Sequence, residues 1–133
     1  MRDMLPAITV AQDVDGGVIE PLALFAEPKR EIWMEIGFGA GEHLAWQAER
    51  NPEVGFIGCE PYINGVASLL RHAADKDLVN IRILPDDVRP FLERLPDGCL
   101  ARIFVLFPDP WPKRRHADRR IVQYETLEKF NRI

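Results

Sequence analysis

Ile32-Trp33-Met34-Glu35-Ile36-Gly37-Phe38-Gly39-Ala40-Gly41 is an apolar run that breaks directly into three alternating glycines. Leu44, Ala45 and Ala48 then recur at helical spacing between Glu42 and Arg50, and Asn51-Pro52 closes the segment. That order is a strand, a tight turn and a helix. Glycines let the backbone turn sharply and let a ligand approach without meeting a Cβ. The helix that follows aims its free N–H groups at the same place.

Outward from this unit the rhythm repeats. Val54-Gly55-Phe56-Ile57-Gly58-Cys59 is a second strand ending in Glu60, and residues 64–74 form a helix with Val66, Leu69, Leu70 and Ala73 on one face. Residues 79–84 alternate as a third strand that stops at Pro85-Asp86-Asp87, a short helix covers residues 90–95, and Pro96-Asp97-Gly98 turns the chain. Ile103-Phe104-Val105-Leu106-Phe107 is a continuous apolar strand of the kind buried on both faces. Strands alternating with helices predict an α/β, Rossmann-like domain with a mostly parallel sheet and right-handed crossovers over residues 31–133. Residues 1–30, broken by Pro6, Pro21 and Pro28, read as an N-terminal extension in which residues 22–25 make one helical turn against the domain.

The composition agrees with one folded domain: 133 residues, 47% hydrophobic, with a formal charge of −4. That apolar fraction excludes disorder as the main character. No apolar run approaches the roughly 18 residues of a membrane span, and no charged-then-apolar leader opens the chain, so a soluble cytoplasmic protein is expected. Cys59 and Cys99 form no C-x-x-C pair, and His43, His72 and His116 have no metal-ligand spacing, so no metal is expected. Trp33 and Trp46 read as packing residues. The net charge taken alone disfavours a nucleic-acid partner.

In such folds ligands bind beyond the carboxyl ends of the strands. A dinucleotide loop would carry its third glycine where Glu42 stands. An acid at Glu35 would repel a pyrophosphate, and it suits a ligand bearing an ammonium group, such as the methionine moiety of S-adenosylmethionine. Glu60, about 20 residues past the glycines, is placed to accept from ribose hydroxyls, a role compatible with NAD as well. Asp87 or Asp86 can meet an adenine amine, although Asp86 also suits a plain helix N-cap. In Phe107-Pro108-Asp109-Pro110-Trp111-Pro112-Lys113 the prolines fix the backbone around Asp109, and Trp111 offers a face on which a base can stack. Lys113, Arg114, Arg115, Arg119 and Arg120, with Asp118 as the one acid, give a local +4 that reads as phosphate contact.

With these motifs the chain resembles the bacterial tRNA (guanine-N7-)-methyltransferase family, over roughly residues 31–130. The glycine motif marks class I methyltransferases in general, and the Pro-Asp-Pro-Trp motif with its basic tail marks this family. The resemblance implies S-adenosylmethionine as cofactor and tRNA as partner. It implies cofactor contacts from Glu35, Gly37, Gly39, Gly41, Glu60 and Asp87, and Asp109 as the catalytic acid. Substrate contacts are implied for Trp111, Lys113, Arg115, His116, Arg119 and Arg120. Asp87 is preferred to Asp86 by the family's spacing to Leu92. The family also carries three further strands and a Thr-Asp element with no counterpart up to Ile133, so the sheet is expected to lack its last strands. Residues 103–107 would then form an apolar edge open to self-association.

The implied reaction moves a methyl group to N7 of a guanine in the tRNA variable loop. N7 already presents a lone pair, so in-line positioning suffices and no general base is needed. Asp109 would stabilise the positive charge that the ring acquires. The rival readings are a non-catalytic cofactor- or RNA-binding fragment and, further off, an NAD-dependent oxidoreductase.

Overall fold

A computed structural model describes residues 17–105 and 131–133. Its strands are β1 (Glu31–Ile36), β2 (Val54–Cys59), β3 (Ile81–Leu84) and β4 (Arg102–Val105). Its helices are α1 (Glu42–Arg50), α2 (Ile63–Asp75) and α3 (Val88–Glu93), and a 3₁₀ turn at Pro21–Leu24 precedes β1. The sheet has the order β3-β2-β1-β4 with every pair parallel, as the alternation of strands and helices predicts. The order reverses between β1 and β4: the chain first moves from β1 to β2 and β3, then crosses back to the far side of β1. That reversal opens a crevice beyond the carboxyl ends of β1 and β4.

Side chains alternate across the strands and build two cores. Trp33, Phe56, Ile81 and Ile83 meet Leu44, Ala45 and Ala48 of α1 and Val66, Leu69, Leu70 and Ala73 of α2. Ile32, Met34, Ile36, Ile57 and Leu84 face the other way, onto Val88, Phe91 and Leu92 of α3 and onto Phe25. The apolar faces read from the sequence for α1 and α2 are thus the faces that are buried. Arg82 holds the 3₁₀ turn to the sheet, donating from Nε to Leu24 O at 2.7 Å while its guanidinium lies over the Phe25 ring. At the other end, Arg132 donates to Leu92 O and Leu95 O, satisfying carbonyls at the carboxyl end of α3.

Several boundaries differ from the sequence reading. β3 begins at Ile81 and not at 79, and Val79 is exposed. Asn80 ends the approach to the strand by turning its amide inward, donating to Ala48 O, Asn51 O and Val54 O at 3.0–3.1 Å and clamping the end of α1 to the start of β2. α3 starts at Val88, two residues before the expected start, because Pro90 falls in the first turn, where its missing N–H has no intrahelical partner to lose. Trp46 is not a packing residue: it is 53% exposed on α1, with the Arg50 guanidinium stacked on it at 4.4 Å. Trp33 is buried as expected. Among the described residues β4 pairs with β1 alone, and the expected continuation of this strand through residues 106 and 107 lies outside them.

Candidate functional site

The register sets the carboxyl ends of the strands side by side: Ile36 opposite Cys59 and Val105, and Cys59 opposite Leu84. Gly37 extends the ladder one step by donating to Cys59 O at 2.8 Å, and the chain then loops into α1. Gly37, Gly39 and Gly41 all take positive φ, at 71°, 61° and 87°, a region that side-chain-bearing residues rarely adopt. Gly41 caps α1 against α2, and a Cβ there would lie 2.8 Å from the Leu69 Cβ. Backbone conformation thus calls for glycine at all three positions, and close packing adds to it at Gly41.

Glu35 lies beneath this loop, on the α1 side of the sheet, and is 1% exposed. Its Oε1 is 2.5 Å from Nδ1 of His43, the second residue of α1. Its Oε2 is buried with no hydrogen-bond partner. Burial raises the Glu35 carboxyl above the usual carboxylate range, and the hydrogen bond and charge of His43 act in the opposite direction. Gln47 Nε2 lies over the imidazole, 3.0 Å from His43 Nε2 and 3.4 Å from Nδ1, and the Phe104 ring of β4 meets the imidazole edge-on at 5.8 Å. A buried carboxylate oxygen without a donor, set below a glycine loop at a helix N-terminus, fits a ligand that carries a cationic nitrogen.

Glu60, the first residue after β2, is also buried. Its Oε1 accepts from the Gly39 N–H at 3.1 Å, and its own N–H donates to Leu84 O, so it ties the loop to β2 and β3. The first turn of α2 presses on the same point: a Cβ at Gly65 would lie 2.4 Å from Gly39 O and 3.1 Å from Glu60 Cγ. Cys59, between these elements, is a buried core residue, and burial first and the Glu60 charge second push its thiol far up.

At the end of β3 the capping role considered for Asp86 falls to Asp87. Asp87 Oδ1 accepts from the Arg89 backbone N–H at 3.0 Å and from Arg89 Nε at 3.1 Å, while Asp86 accepts from the Asp87 N–H. Burial raises the Asp87 carboxyl, but the Arg89 hydrogen bonds and charge outweigh it and hold Asp87 below the usual carboxylate range.

The structure thus brings Glu35, the three glycines and Glu60 into one neighbourhood. Asp87 stands at the adjacent strand end. Asp109, Trp111, Lys113, Arg115, His116, Arg119 and Arg120 lie outside the described residues. His43, Gln47, Gly65 and Phe104 were not singled out from the sequence. The available signal for His43 was its place in the first turn of the helix that follows a glycine loop whose preceding strand carries an acid. Among the described residues no group of His, Cys, Asp and Glu is arranged to hold a metal ion, and no helix is long and apolar enough to cross a membrane.

Residues 29–133 match the model of a protein family described as "Putative methyltransferase". A tRNA (guanine-N(7)-)-methyltransferase of Paramagnetospirillum magneticum is 53% identical, over 100% of this chain and 56% of that protein. Proteins of the same name from Rhodospirillum rubrum and Caulobacter vibrioides are 52% and 49% identical, each over 98% of this chain and over 52% and 55% of their own lengths. The chain therefore spans about half the length of the curated relatives it matches. Among solved structures, an antibiotic-related methyltransferase is similar over 66% of this chain, with a TM-score of 0.48 and 16% sequence identity.

Proposed function

Because the chain belongs to the methyltransferase family matched over residues 29–133, we propose that it forms the cofactor-binding part of an S-adenosylmethionine-dependent tRNA (guanine-N7-)-methyltransferase. The observation that carries this reading is the partnerless buried Oε2 of Glu35 beneath the glycine loop. An ammonium group satisfies such an oxygen, whereas a pyrophosphate beside it would be repelled. The same feature weighs against a nicotinamide dinucleotide.

When bound, S-adenosylmethionine supplies a methyl group on a sulfonium, ready for direct displacement. The residues of this chain hold and orient that donor. Glu35 takes the ammonium, the Gly37–Gly41 loop gives the backbone close approach, and Glu60, tied to Gly39, takes the ribose hydroxyls. Asp87 offers its carboxylate toward the adenine side. In the same proposal Asp109 fixes the guanine and opposes the positive charge that its ring acquires, while Trp111, Lys113, Arg115, His116, Arg119 and Arg120 contact the tRNA. A tRNA substrate places the protein in the cytoplasm. Two copies of this chain are further proposed to associate along the outer edge of β4, and a strictly monomeric chain in sedimentation contradicts that part alone.

Incubation of the chain with labelled methyl donor and unmodified tRNA tests the activity. Label at guanine N7 of the variable loop is the expected product. A chain that binds S-adenosylhomocysteine but transfers no label is instead a cofactor-binding unit without turnover.

A further inference from the structure

We propose that His43 is a positioning residue for cofactor recognition, locking the Glu35 carboxylate so that Oε2 is reserved for the ammonium of the ligand's amino-acid moiety. This rests on the S-adenosylmethionine reading above and assigns a role to a residue outside the glycine loop.

Three contacts carry the inference. The imidazole reaches the buried carboxylate through Nδ1, at 2.5 Å from Oε1. Gln47, one turn further along α1, packs its amide nitrogen over the imidazole, 3.0 Å from Nε2 and 3.4 Å from Nδ1. An ionised carboxylate can only accept, so the imidazole donates from Nδ1 to Glu35 Oε1. Phe104 closes the ring's side from β4. The helix bearing His43 and Gln47 is itself fixed, since Leu44, Ala45 and Ala48 are core residues.

A carboxylate has two oxygens and a soft terminal torsion. With Oε1 claimed by His43, the torsion is set and Oε2 is the carboxylate's remaining buried acceptor. Without the imidazole, Glu35 would have to be ordered by the ligand, and that ordering would oppose binding. The effect is confined to the part of the ligand that touches Glu35, which separates positioning from a general structural role.

The test compares S-adenosylhomocysteine, which carries the ammonium, with 5′-methylthioadenosine, which lacks the amino-acid moiety. Affinities of both are measured by calorimetry on wild type, His43→Ala and His43→Gln. His43→Ala is expected to weaken S-adenosylhomocysteine about tenfold while leaving methylthioadenosine unchanged. His43→Gln, which keeps an N–H donor for Oε1, is expected to recover most of the loss. An unchanged affinity for S-adenosylhomocysteine, or an equal loss for both ligands, overturns the positioning role. A wild-type chain that binds neither ligand overturns the cofactor reading itself.

Discussion

The Glu60 carboxylate accepts a hydrogen bond from the Gly39 backbone at 3.1 Å, so the acid at the end of β2 also shapes the loop after β1. An acid in this position holds the loop as well as offering oxygens to a ribose. Glu60→Ala removes both functions, whereas Glu60→Gln keeps an acceptor for Gly39. S-adenosylhomocysteine affinity is expected to fall by more than about tenfold in Glu60→Ala and by less in Glu60→Gln. Equal losses in a titration would show that the tether to Gly39 contributes nothing.

Gly65 tests the same junction from the other side. Alanine suits a helix interior better than glycine, yet here its Cβ would meet the Gly39 carbonyl at 2.4 Å, and backbone cannot give way cheaply. Gly65→Ala is expected to destabilise the fold by about 1–3 kcal/mol in urea unfolding and to weaken cofactor binding by displacing the loop. A more stable variant would contradict the packing described.

Glu35 makes a prediction for pH. Burial holds its carboxyl above the ordinary value of 4.5, with His43 only partly opposing. A carboxyl that keeps its proton more tightly when folded supports the fold most below its unfolded value, and that support is lost as pH rises through the folded value. Glu35→Gln stays neutral throughout. It is therefore expected to be more stable than wild type at neutral pH, with the difference closing as pH falls below 4.5. Urea midpoints across that range check this, and a difference that widens toward acid would contradict it.

Much of this was legible in the sequence. Val66, Leu69, Leu70 and Ala73 declared the buried face of α2 by spacing alone, and the three glycines of the loop announced a backbone that only glycine adopts readily. The partnership of Glu35 with His43 was not legible, because it depends on how α1 lies across the sheet, which local pattern does not encode. Gly65 was silent for the same reason: its constraint is the carbonyl of Gly39, distant in sequence. Asp86 and Asp87 are indistinguishable as residue types, and only the turn into α3 decides which one caps it. Val79 fitted the alternation of a strand, but the inward turn of the Asn80 amide set the strand start two residues later.

The most direct test of the central claim is a titration of wild type and Glu35→Gln with S-adenosylhomocysteine, with NAD as control. Saturable wild-type binding, weakened at least about tenfold in a folded Glu35→Gln chain, with no response to NAD, is the predicted result. Equal binding by the two chains, or binding of NAD in preference, would contradict the account.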